Sequence, residues 1–274
     1  MTTEPRSQFL TLHGLRFHRL EWGADQEPVL ILHGFSRHAR QAAPTAEALA
    51  PHHRVIALDQ RGHGDSDWAD TYGTRRTVSD VLALLDALHI ESVALVGHSM
   101  GGMVSTAFAA LHSERVRAVV LGDIGPEINP TGIARIQRQT AEQDAFASID
   151  EAYEISLAND PYADPSALRS WAEHNVRELP DGTLTWKYDK ALRDGTAKYD
   201  NFAGDEHWAF WSAISVPVLI LRGEHSDILS QDIATRMLAA NPHAELQTLP
   251  NAGHSIAIDA PRLVASAVVD FLRR

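Results

Sequence analysis

The 274-residue chain sets 24 Lys plus Arg against 36 Asp plus Glu, a formal net charge of −12, with 44% hydrophobic residues and no cysteine. An acidic balance repels phosphate backbones, and no basic run of the kind that tracks nucleic acid or anionic lipid occurs, which argues against both as partners. Without cysteine there is no disulfide framework, no thiolate nucleophile and no cysteine-ligated zinc or iron–sulfur centre.

Taken along the chain, the first residues, MTTEPRSQFL, lack the apolar stretch of a signal peptide. No later stretch approaches the roughly 18 apolar residues of a membrane span, so a soluble cytoplasmic protein is expected. Residues 9–12 and 15–20, joined at His13-Gly14, read as a hairpin. Apolar, β-branched runs then recur at 29–32, 55–58, 93–96, 116–121 and 218–221. Such near-continuous runs suit strands buried on both faces, as in a parallel sheet covered by helices.

Between them, Val78, Val81, Leu82, Leu85 and Leu88 recur at helical spacing, predicting an amphipathic crossover helix. The same pattern returns over 263–272 after Pro261, which is well placed at a helix start. Residues 126–211 break the rhythm with helical windows at 133–143, 149–157 and 167–179 and four of the six tryptophans. Pro180-Asp181-Gly182 marks a turn there, and 183–188 reads as a short extended piece. An inserted helical cap over 126–211 is expected, with 1–125 and 212–274 forming the sheet domain. Trp171, Trp186, Tyr188, Trp208, Phe210 and Trp211 should mostly pack cap against sheet, with one or two lining a pocket.

Gly97-His98-Ser99-Met100-Gly101 follows one apolar run and precedes a helical pattern from Met103 through Phe108. A serine on such a strained strand-to-helix turn needs flanking residues without Cβ atoms, and the helix below aims its first backbone donors at charge developing on the substrate. Ser99 is therefore the candidate nucleophile.

With these residues the chain resembles the α/β-hydrolase superfamily over essentially its whole length. Leu32-His33-Gly34-Phe35 resembles the family's oxyanion-hole loop, Asp59-Gln60-Arg61-Gly62-His63-Gly64-Asp65-Ser66 its D-x-R-G-x-G-x-S loop, and Asn251-Ala252-Gly253-His254 its histidine loop. The resemblance implies an α/β fold with a mostly parallel eight-stranded sheet, flanking helices and an inserted cap. It also implies a serine–acid–histidine triad in that chain order. Only His243 and His254 follow the acid candidate Asp227; His243, in a turn, is expected to face solvent, which leaves His254 as the base.

For the acid, Asp227 stands at the family's offset after the 218–221 run and is the first choice; Asp123, at the end of an earlier strand, is the alternative, with Glu224 and Asp259 near candidate loops. The oxyanion hole is expected from the backbone N–H groups of Phe35 and Met100. His33, His63 and His98 read as scaffolding, and Asp59, Arg61 and Ser66 as holding their own loop. No H-E-x-x-H, H-x-H or carboxylate ladder suggests a metal, and no cofactor is expected.

The reaction implied is hydrolysis of a carboxylic ester or lactone of a small, fairly apolar molecule through an acyl-serine. Carbon–carbon bond hydrolases of ring-fission diketo acids are the nearest rival, with Arg135, Arg138, Arg169 or Arg177 available to bind a substrate carboxylate. Cofactor-free haloperoxidases share the triad, and a small-molecule receptor of the same fold is the non-enzyme alternative. A homodimer is compatible with the sequence.

Overall fold

The computed structural model describes residues 4–24, 26–141 and 144–274. The strands are β1 (Arg6–Leu12), β2 (Leu15–Trp22), β3 (Pro28–Leu32), β4 (Arg54–Leu58), β5 (Val93–His98), β6 (Val116–Gly122), β7 (Val176–Glu178), β8 (Leu184–Trp186), β9 (Val218–Gly223) and β10 (Ala244–Leu249). Eight of them form one sheet in the order β1-β2-β4-β3-β5-β6-β9-β10. β4, β3, β5, β6, β9 and β10 are mutually parallel, whereas β2 runs antiparallel to both β1 and β4. The expected mostly parallel eight-stranded sheet is thus present.

The continuous apolar runs have a direct structural meaning. Side chains alternate across a strand, so Leu30, Leu32, Ile56, Leu58, Leu95, Val119 and Leu121 enter one core, whereas Val29, Ile31, Val55, Ala57, Ala94, Val96 and Val120 enter another on the opposite face. The first core receives the helices Thr74–Ala87, Met100–Leu111 and Gln231–Ala240, and the second receives Ala43–Leu49 and Pro261–Leu272. The apolar runs of the central strands β3, β4, β5 and β9 are dry on both sides, which is why polar residues are missing from those runs.

Between β6 and β9 lie the helices Pro130–Ala141, Ile149–Asn159, Pro165–Asn175, Ala191–Asp194 and Glu206–Ala213. The end of the expected 133–143 window, Glu142 and Gln143, lies outside the described residues. The window 167–179 is half wrong: its helix stops at Asn175, and β7 then pairs antiparallel with β8. The physical reason is local, since β-branched Val176 and Thr185 flank a turn in which Gly182 adopts φ +83, and the Leu179 and Gly182 N–H groups bond to Thr183 and Leu179 carbonyls. The insertion therefore carries a two-stranded ribbon as well as helices.

The expected boundary at 211 falls inside the helix Glu206–Ala213. Trp211 is fully buried with the sheet-domain core, and its Nε1–H donates 2.9 Å to the Met237 carbonyl, so this last helix packs with the sheet domain. The cap has its own small core of Phe146, Ala152, Leu168, Trp171 and Trp186, closed from below by Tyr72 and Ile258.

Candidate active site

Ser99 sits where β5 turns into the helix Met100–Leu111 and holds φ +50, a conformation that strains a non-glycine residue and is tolerated where surrounding structure enforces it. The enforcement is visible at its neighbours. A Cβ on Gly97 would stand 2.4 Å from the Gly101 carbonyl oxygen, and one on Gly101 would stand 2.2 Å from that of Leu32. Side chains at either place would push the helix off the sheet, so both glycines are needed to seat the turn. The Ser99 carbonyl accepts from the N–H groups of Gly102 and Met103, and Ser99 lines the cavity above the turn.

Ser99 Oγ lies 3.0 Å from His254 Nε2, and His254 Nδ1 lies 2.8 Å from Asp123 Oδ2. A carboxylate at Nδ1 fixes the tautomer with its proton there, leaving Nε2 free to accept from the serine hydroxyl. Asp123 is fully buried at the carboxyl end of β6 and itself adopts φ +49. Its second oxygen accepts from Gly223 N–H at 2.9 Å, while Ser226 Oγ donates to Oδ2 at 2.5 Å.

The carboxylate that meets His254 is Asp123 and not Asp227, the acid expected from sequence. Asp227 does not meet His254. Its two oxygens accept a fork of bonds from Arg135, at 2.6 and 2.8 Å, and that hydrogen-bonded cation holds its carboxyl below the usual carboxylate range. The reason is what each carboxylate meets: Asp123 is bonded by His254, Ser226 and the Gly223 N–H, and Asp227 by the cap arginine. Gly122 pairs with His98 across β5 and β6, so the residue following β6 stands beside the nucleophile, whereas β9 lies one strand further out. The loop after β9 contributes Ser226 to this group, one residue short of the expected acid.

The backbone N–H groups of Phe35 and Met100 donate to no protein acceptor among the described residues. His98 donates from Nε2 to the His254 carbonyl at 2.8 Å, which ties the histidine loop to the elbow. Burial, together with the neighbouring His254, lowers its pKa to about 3, so it stays neutral. His33 and His63 are likewise buried and lowered, to about 3 and about 4. Asp59 accepts from Asp65 N–H and Ser66 Oγ donates to the Asp59 carbonyl, both within their own loop, whereas Arg61 forks onto Asp80 and ties that loop to the helix Thr74–Ala87. His243 is exposed.

Above Ser99 lies a cavity of about 130 Å³ between cap and sheet domain. Ile136, Ile155, Trp171 and Trp186 give it apolar surface, and Arg37, Arg135 and Gln139 give it a polar side. Among the aromatic candidates, Trp171, Trp186 and Tyr188 line it, whereas Trp208, Phe210 and Trp211 pack with the sheet domain. Of the four cap arginines singled out from sequence, only Arg135 lines the cavity; Arg169 pairs with Asp150 and Glu173, Arg177 stacks on Trp68, and Arg138 is exposed. Sequence reading missed Arg37, although it stands only two residues beyond Phe35.

A parallel sheet with a strained serine elbow, a histidine loop at the same edge and a cap inserted over both defines one class of enzyme, the α/β hydrolases. Residues 27–261 match the family model for the alpha/beta hydrolase fold, and the chain belongs to that family. It is 30% identical over 288 aligned positions to a 3-hydroxybutyrate-oligomer hydrolase of Cupriavidus necator, an alignment covering 97% of this chain and 98% of that protein. Among solved structures, an α/β hydrolase from Novosphingobium aromaticivorans superposes with a TM-score of 0.88 at 32% identity, covering 98% of each chain. The crystal structure of E-2-(acetamidomethylene)succinate hydrolase superposes with a TM-score of 0.89 at 25% identity, over 98% of this chain and all of that one. No helix among the described residues is long and apolar enough to cross a membrane.

Proposed function

We propose that this enzyme is a serine hydrolase that cleaves a carboxylic ester or lactone of a small molecule through an acyl-Ser99 intermediate, with His254 as base and Asp123 as the acid that orients it. The observation that carries this reading is the unbroken chain of hydrogen bonds from Ser99 Oγ through His254 to Asp123, lying under the cavity. His254 Nε2 takes the hydroxyl proton as Ser99 Oγ adds to the substrate carbonyl. The resulting oxyanion is received by the Phe35 and Met100 N–H groups, which no protein acceptor among the described residues occupies. Collapse breaks the bond to the alcohol oxygen, which leaves with the proton held on His254. Water then attacks the acyl-serine, giving its proton to the same imidazole and releasing the acid and free Ser99. The name of the Cupriavidus relative, an oligomer hydrolase of a hydroxy acid, supports an ester as the bond broken.

The test is a p-nitrophenyl ester series of increasing acyl length, with lactones and a vinylogous diketo acid alongside, on wild type and Ser99→Ala. Ester or lactone turnover with a burst of p-nitrophenol and an acyl adduct on Ser99 is expected, and Ser99→Ala should lower kcat on the order of a millionfold. Turnover of the diketo acid alone would replace ester cleavage with carbon–carbon cleavage. Ligand binding without turnover of any arm would make the protein a receptor.

A further inference from the structure

Arg37 is the cavity residue whose charge the fold leaves unspent. It follows the loop that carries the Phe35 N–H, and its backbone N–H bonds 3.2 Å to the Gly34 carbonyl, which places the residue in a tight turn at the base of the cavity. Its guanidinium lies 4.8 Å over the Trp171 ring, and one nitrogen donates 3.0 Å to Ser255 Oγ, next in the chain to His254. That is its whole set of side-chain hydrogen bonds among the described residues; no carboxylate there comes within ion-pair distance of it.

The neighbouring cation behaves differently. Arg135 gives two nitrogens to Asp227 and a third to Gln139, so it is neutralised and fully engaged within the protein. Two carboxylates act on Arg37 from beyond contact, Asp160 and Asp259. Asp160 lines the same cavity, and burial with the charge of Asp160 raises the pKa of Asp259 to about 7; both stand near Arg37, and neither pairs with it. Trp171, against which Arg37 stacks, is 7% exposed, and its buried Nε1–H finds no hydrogen-bond partner among the described residues. A half-buried cation that forms no ion pair among the described residues stands beside a buried indole donor that finds no acceptor there, and a ligand carboxylate in the cavity could complete the cation.

We propose that Arg37, stacked on Trp171, binds a carboxylate of the substrate, so that the ester this site cleaves is an anionic one, with its carboxylate a short chain away from the scissile carbonyl. The proposal rests on the ester-hydrolase reading for the bond cleaved, and it narrows the substrate from a fairly apolar molecule to one with an apolar body and a charged end. Arg37 holds and orients that end through its remaining N–H donors, preferably as a paired fork. Ser255, one residue from the base, keeps the guanidinium in register with the histidine loop.

Two ester pairs test this. A mono-p-nitrophenyl glutarate against its terminal amide places the charge on the acyl side, and a 3-acyloxybutanoate against its amide places it on the alcohol side. Wild type should prefer the charged member of at least one pair, mainly through KM, and Arg37→Gln should reduce that preference by about thirtyfold or more. Arg37→Lys should restore part of it, since the charge returns without the fork. The same four compounds are titrated calorimetrically into Ser99→Ala, so recognition is read even if none is turned over; melting curves confirm that each variant folds. A charge preference in binding without turnover would leave the Arg37 subsite standing and sink the ester reading. Equal handling of charged and neutral members by wild type, or a preference that survives Arg37→Gln, would overturn the subsite and leave the ester reading intact.

Discussion

Two aspartates stand at carboxyl ends of neighbouring strands, and they have opposite fates. Asp123 follows β6, is wholly buried, holds a left-handed backbone and gives its oxygens to His254, Ser226 and Gly223. Asp227 lies four residues past β9, is about a third exposed and gives both oxygens to an arginine from the cap. A burial that removes water makes a carboxylate strong as an orienter, because its field is little screened and its geometry is fixed. A carboxylate paired to a cation at a domain junction ties two parts of the chain together and has little charge left over for an imidazole. The difference teaches that position after a strand nominates an acid, whereas the surrounding donors decide what it does.

The sharpest way to break this comparison is to neutralise each aspartate in turn. Asp123→Asn should lower kcat by about four orders of magnitude while the fold persists, because the amide favours the wrong imidazole tautomer. Asp227→Asn should cost less than about tenfold, since it breaks a bond to the cap and leaves the relay whole. Steady-state kinetics on a single ester, with circular dichroism to confirm folding, decides it. If Asp227→Asn proved the more damaging of the two, the histidine would have to swing to Asp227 during turnover and the roles assigned here would exchange.

Much of this site is legible without coordinates. Ser99 follows from the two glycines that its turn requires, and His254 from chain order. The sheet is legible because strands dry on both faces must be apolar throughout. Asp123 is only an alternative in the sequence because what promotes it is not local: the His98 partner of Gly122 on β5, the Gly223 N–H at the end of β9 and the Ser226 hydroxyl of the following loop are all distant in the chain. The ribbon in the cap was half hidden for a related reason, since three-residue strands such as β7 are too short to show an alternation. Arg37 is not legible, because nothing in a sequence says which cation is left out of an ion pair.

A finer probe of the same contrast is Ser226, the residue through which the β9 loop reaches the relay. Its hydroxyl donates to Asp123 and accepts from the Ile228 and Leu229 N–H groups, at 3.1 and 3.0 Å. Ser226→Ala removes one charge-assisted bond from a buried carboxylate and frees two backbone donors. It should lower kcat by about ten- to thirtyfold with KM little changed, and shift the pH–rate profile, because Asp123 would then hold the imidazole less firmly. A loss of stability with an unaltered pH profile would make Ser226 a loop-holding residue only.

The smallest expected effect concerns the Arg135–Asp227 fork itself, which joins the helix Pro130–Ala141 to the loop after β9. Half-exposed pairs contribute little to global stability, about 0–1 kcal/mol, so Arg135→Gln should barely move Tm; the effect to expect is local. Hydrogen exchange in 130–141 should quicken in the variant relative to wild type at neutral pH. The sign of its pH dependence follows from the lowered pKa of Asp227. A carboxyl depressed by folding stabilises above its ordinary pKa and loses that contribution as pH falls through the folded value. The difference in exchange between wild type and Arg135→Gln should therefore hold from neutrality down to the ordinary aspartate range and close below it. A difference that widened on acidification would mean that some other group fastens the cap, and Asp227 would lose the one role that distinguishes it from Asp123.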